Sequence, residues 1–179
     1  MINRTQLAVL ALTAAAALPP VALAAGTVTI TPPATGSFSV TLDGTNKTGT
    51  YTLAIPVSYT STANNKNATL GWHITATSTT FKGNTTLRTL STTASTITSF
   101  TDSVGCTLAN CTDATNGTTY PMTIPAATVA PTPVTAYLAT APSGAGGNTA
   151  TMQVSVAIPA NTFADVYAST LTLAVIEGP

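Results

Sequence analysis

The sequence predicts an all-β protein: an antiparallel β-sandwich, immunoglobulin-like or jelly-roll-like, of about eight to ten strands, with long loops around residues 101–149. Three observations carry that expectation. Apolar residues alternate with polar ones at a period of two along most of the chain, the signature of strands buried on one face only. Gly, Pro and Asn clusters such as "TPPATG", "DGTNKTG", "TANNKN" and "APSGAGGN" separate the alternating runs. Threonine, a β-branched strand former, occurs 41 times in 179 residues, and charged residues make up only 6%.

Taken in chain order, the first segment stands apart. "MINRTQ" brings one positive charge, and "LAVLALTAAAALPPVALA" is apolar but broken by Pro19 and Pro20. It ends in Ala22-Leu23-Ala24, a small-x-small cleavage pattern. A membrane span needs about 20 continuous apolar residues, so residues 1–24 read as a cleaved secretory signal and 25–179 as a single folded domain. The mature chain then begins with "AGTVTITPP", where Val28 and Ile30 share a face. "SFSVTL" follows with Phe38, Val40 and Leu42, and Asp43 opens a "DG" turn. "YTLAIPVSY" puts Tyr51, Leu53, Ile55, Val57 and Tyr59 together, with Pro56 marking an edge or a bulge. "LGWHITA" aligns Leu70, Trp72, Ile74 and Ala76, which sends His73 to the opposite face with Thr75 and Thr77. Near the end, "TMQVSVAIP" aligns Met152, Val154, Val156 and Ile158, and "YASTLTLAV" aligns Tyr167, Leu171, Leu173 and Val175. No stretch has a helical period, and no internal repeat is present.

Composition narrows the function classes. Five basic and five acidic residues give a net charge of zero with no basic cluster, which argues against nucleic acid and against an anionic membrane surface. Cys106 and Cys111 are spaced C-x4-C with no second pair or histidine partner. In an exported chain that spacing reads as a local disulfide rather than a metal site. The acids are Asp43, Asp102, Asp113, Asp165 and Glu177. Asp102 and Asp113 flank the cysteine loop and are the one carboxylate pair that could approach each other, as a glycosidase would require. A Ca²⁺ loop is the other chemical reading of that pair. His73 is the chain's one histidine, and no serine sits in a Gly-x-Ser-x-Gly turn. No catalytic set, metal site or cofactor is expected. Trp72, the lone tryptophan, is expected to anchor the core; an exposed Trp stacking on a glycan is the functional alternative. Lys47, Lys66, Lys82 and Arg88 lie in the first half of the mature chain and could form a weakly basic end facing anionic wall polymers. Asn46, Asn67, Asn84, Asn110 and Asn116 head Asn-x-Thr sequons that a glycosylating host would modify.

Three stretches, "FSVTLDGTNKT", "GWHITATSTTF" and "VAIPANTFADVYASTLTLAVIEGP", together resemble the WxL-type cell-surface domain. Gly71, Trp72 and Ile74 match that family's Gly-Trp-x-aliphatic strand, with Ile in place of Leu. Tyr167, Thr170, Leu171, Thr172, Leu173 and the final Pro179 fall in its closing motif, although "LTLAV" lacks the second tryptophan usual there. The resemblance implies a secreted β-sandwich attached non-covalently to the cell wall, with peptidoglycan the expected ligand and other surface proteins as further partners. The inventory of acids, histidine and serines gives no support for an enzyme. The residues themselves leave a second expectation open: a self-assembling subunit of an extracellular filament or matrix, in which the mature N-terminal strand complements a neighbouring sheet. Either way the protein is placed outside the cell, with no membrane insertion once the signal is gone.

Overall fold

A computed structural model describes residues 5–12, 27–33, 35–60, 70–103 and 112–178. Its strands, in chain order, begin with β1 (Thr5–Leu12), β2 (Thr27–Ile30), β3 (Thr35–Thr41) and β4 (Lys47–Thr60). There follow β5 (Trp72–Thr79), β6 (Lys82–Gly83), β7 (Ser95–Ser103), β8 (Met122–Thr123) and β9 (Ala126–Ala127). The last are β10 (Val134–Ala139), β11 (Gly146–Ile158), β12 (Tyr167–Ala168) and β13 (Thr170–Glu177). Four of these are two-residue strands, so nine longer ones remain, inside the expected range. The all-β expectation holds, and no helix occurs among the described residues.

Two main sheets form the sandwich. The first runs β10-β5-β13-β1-β3, with β9 added beside β5; the second runs β2-β4-β11-β7-β8; β12 and β6 make a separate two-stranded piece. The second sheet is built on its two longest strands. β4 and β11 pair without interruption from Lys47↔Ile158 to Tyr59↔Gly146. Along β4 the alternation is strict: Tyr51, Leu53, Ile55, Val57 and Tyr59 are buried, and the residues between them are exposed. That one-sided burial is the physical consequence of side chains pointing to opposite faces of a pleated strand. β11 answers with Met152, Val154 and Val156, all fully buried, and Ile158 nearly so. From the first sheet come Trp72, Ile74, Ala76, Ala136, Tyr137, Leu171 and Leu173, and both sets belong to one contiguous core.

The proline in β4 shows how the ladder tolerates it. The Pro56 carbonyl accepts from Thr31 N at 3.0 Å, so Pro56 turns its missing N–H to the side where β2 has just ended. The opposite edge, paired with β11 at Thr149, is unaffected.

Two features depart from the sequence reading. Leu70 is half exposed, at 51%, rather than inside with Trp72. Gly71 intervenes with φ of +69°, which breaks the alternation before the strand starts. Within residues 101–149, expected to be loop, Val134–Ala139 is a strand, bulged between Thr135 and Tyr137, carrying buried Ala136, Tyr137 and Ala139. Thr5–Leu12, within the segment read as a removable leader, forms β1 in the full chain and lies between β13 and β3. Cys106, Cys111, Lys66, Asn67, Asn110 and Pro179 lie outside the described residues.

Candidate functional site

The Gly-Trp-x-Ile motif is a packing unit. Trp72 is fully buried, stacks on Tyr137 with centroids 5.2 Å apart and 14° between planes, and donates its indole N–H to the Gly144 carbonyl at 3.0 Å. Tyr137 in turn meets Phe100 of the other sheet edge-on at 5.0 Å. Gly71 is required because a Cβ there would collide with the Ala139 carbonyl oxygen. The two halves of the motif sit on adjacent strands: β13 pairs with β5 so that Leu173 opposes Ala76 and Leu171 opposes Ser78. Tyr167, at the other end, is buried on β12 and opposes Gly83.

His73 lies on the outer face, as alternation requires, and has a backbone partner. Its Nδ1–H donates to the Gly178 carbonyl at 2.7 Å, while Gly178 N–H donates to the Gly71 carbonyl at 3.0 Å. The imidazole therefore ties down the end of β13. No carboxylate or hydroxyl is placed to form a catalytic relay with it among the described contacts.

Most of the carboxylates are structural fasteners. In the DG turn Asp43 accepts from Thr45 N–H and Oγ1 and pairs with Lys47 Nζ at 2.7 Å; the lysine and threonine bonds hold its carboxyl well below the usual range. Asp102 Oδ2 accepts from Ala114 N–H at 2.9 Å, and Asp113 is exposed. The structure thus uses Asp102 to bridge to the segment after the cysteine loop. Glu177 accepts from Tyr59 O–H at 2.6 Å, linking the sheets; burial, then that bond, pushes the phenol up to about 12. Among the described residues no three His, Cys, Asp or Glu side chains converge as metal ligands would.

The sequons differ in their availability. Asn46 Oδ1 accepts from Ala160 N–H at 2.8 Å, which leaves its amide nitrogen uncommitted in that contact, and Asn84 is exposed in a turn. Asn116 is fully engaged: Nδ2 donates to the Phe100 carbonyl and to Tyr120 Oη, and Oδ1 accepts from Thr118 and Leu138.

The surface best built to hold a ligand is at the end of the sandwich where the 82–91 hairpin meets residues 159–170. Asp165 organises it. Its carboxylate accepts from the backbone N–H of Thr85, Thr86 and Val166 and from Thr86 Oγ1, with Thr86 N at 2.6 Å. The Thr86 backbone bond leads in lowering its pKa to about 2. Gly83 permits this approach, since a Cβ would strike the Asp165 carboxylate. Held in this way, the turn carries Leu87 at φ +56° with 63% exposure. It also places Arg88 over the half-exposed ring of Phe163, 3.9 Å from its centroid. Gly83 N–H donates to the Arg88 carbonyl, so Lys82 and Arg88 stand on adjoining arms of the hairpin. Beside Lys82 opens a depression of about 580 Å³ whose lining includes Thr79, Thr80, Lys82, Leu87, Thr89 and Ser169. Of the four cations marked in the sequence, Lys82 lines this depression, Arg88 lines a separate one with Phe163, and Lys47 is spent on Asp43. Asp165 and Phe163 were not legible as site residues, because the partners of Asp165 lie about 80 residues away in sequence.

No protein-family model, curated protein or solved structure matches the chain. The likeness to WxL domains therefore rests on the motif residues alone. No described helix is long and apolar enough to cross a membrane.

Proposed function

We propose that the protein is an exported, wall-associated module that holds a cell-wall polysaccharide, peptidoglycan, without cleaving it. The observation that carries this reading is the hydroxyl-lined depression with Lys82 in its wall. Peptidoglycan offers what such a surface can take: sugar hydroxyls for the threonines and serine, and a peptide or lactyl carboxylate for the lysine. The resemblance to wall-attached domains supports the same ligand. Among the described residues, the carboxylates with resolved contacts are committed to backbone and side-chain partners, which suits retention rather than hydrolysis.

Co-sedimentation with purified insoluble peptidoglycan at physiological salt tests the reading. Wild-type protein should be retained and release no reducing sugar. Replacing the lysine (Lys82→Ala) should weaken retention up to about fivefold, in line with up to about 1 kcal/mol for an exposed charge contact. Equal retention of both proteins would remove this depression as the site. Absence of any retention would remove the reading.

A further inference from the structure

The place of β1 in the fold has a consequence for the exported chain. β1 is an interior strand: it pairs antiparallel with β3 from Thr5↔Thr41 to Ala11↔Thr35, and parallel with β13 at Ala11↔Thr170 and Leu12↔Leu171. Removing residues 1–24 withdraws that strand and leaves a gap of two strand spacings, about 10 Å, bordered by a bare seven-residue edge on β3. Collapse of β3 onto β13 is opposed by its anchors on the other sheet. Phe38 stacks on Tyr51 with planes 1° apart, and Asn46, in the turn after β3, holds Ala160 N–H. Next to the gap lies an apolar cleft lined by Phe38, Val40, Leu42, Phe81, Leu90 and Ile158. A free edge above apolar side chains is a template for another strand.

We propose that, after leader removal, this slot is filled by the N-terminal strand of a second copy of the chain, linking copies head to tail. The donor is residues 25–31, "AGTVTIT". It is seven residues long, as is β3, uncharged, alternating, and stopped by Pro32-Pro33, which cannot extend a ladder. Cleavage after Ala24 makes this segment the chain's free end. In its own molecule it is the outermost strand of the second sheet, held to β4 from Thr27↔Thr60 to Ile30↔Val57 and by Thr31 N–H on the Pro56 carbonyl. It can therefore swing out while β4 keeps β11. Because donor and slot are different surfaces, the contact is heterologous and propagates as an open chain. The inference rests on the export reading and is independent of the glycan reading.

The test uses protein recovered after export of the full chain. Intact mass should give Ala25 as the first residue, and light scattering should show assemblies that grow with concentration. Excess synthetic peptide of residues 25–33 should reduce them to single copies carrying one peptide each. Ile30→Asp spoils the donor and Val40→Asp the slot. Each folded variant alone should stay monomeric, and the two mixed should give dimers. A chain beginning at Met1 would overturn both the export reading and the inference. A chain beginning at Ala25 that stays monomeric at every concentration and binds no peptide would overturn the inference alone. So would assemblies indifferent to the peptide and to both substitutions.

Discussion

Trp72 and His73 are neighbours with opposite surroundings, and both act on structure. Trp72 fills the core, and His73 fastens the end of β13 from outside. Trp72→Ala removes the Tyr137 stack and leaves a large void, so it should cost about 3–5 kcal/mol, measured by urea unfolding. A loss below about 1 kcal/mol would show that the pocket is not the anchor described. Asp165 makes a prediction in pH. Its carboxyl is held at about 2 in the fold against 3.8 for the unperturbed group. A group depressed in this way stabilises the fold above its unfolded pKa and loses that contribution as pH falls from about 4 to about 2. Asp165→Asn should therefore lower the melting temperature at neutral pH and flatten its decline over that acid window. An unchanged acid profile would mean that the carboxylate does not organise the turn. Asp165 was invisible in the sequence because nothing local distinguishes an acid that collects remote N–H groups from one that is solvated.

Strands differ in how clearly the sequence announced them, and the reason is geometric. β4, β11 and β13 alternate cleanly because each has one face on the core. Tyr51 to Tyr59 could be assigned inward without coordinates. Leu70 was misplaced because alternation holds only within a strand, and Gly71 at φ +69° ends that rule one residue early. β10 escaped notice because prolines crowd its N-terminal flank and its burial depends on the Trp72–Tyr137 stack, a contact between distant segments. Strand position also predicts protection. Amide hydrogens of β4 and β11, paired along most of their length and central in their sheet, should exchange slowest. Those of β2 and of β6, a short edge strand and half of an isolated two-residue ladder, should exchange fastest. Hydrogen exchange followed by mass spectrometry reads that order, and equal rates across β4 and β2 would contradict it.

Apolar burial and backbone ladders are, among the described residues, the main ties that hold the molecule together. Among the described residues the ion pair found is Lys47–Asp43, on the surface, and the core joining the two sheets is apolar and aromatic. Surface pairs of this kind contribute little and are screened by salt. Sodium chloride should leave the melting midpoint nearly unmoved, whereas ammonium sulfate should raise it through stronger effective burial. A marked fall on adding sodium chloride would point to ionic stabilisation that the described contacts do not contain. The all-β class was legible at this scale because composition and periodicity agreed. The order of strands in each sheet was not, since it is fixed by pairings between segments far apart in the chain.

The lone tryptophan has one more use. Sealed from water against Tyr137 and bonded to Gly144, Trp72 is the single tryptophan, selectively excitable at the red edge of the protein's absorption, at the junction of both sheets. Its emission should lie to the blue in the native protein and move to the red in one step when the sandwich opens. The molecule thus carries its own optical reporter, and folding can be followed without a label.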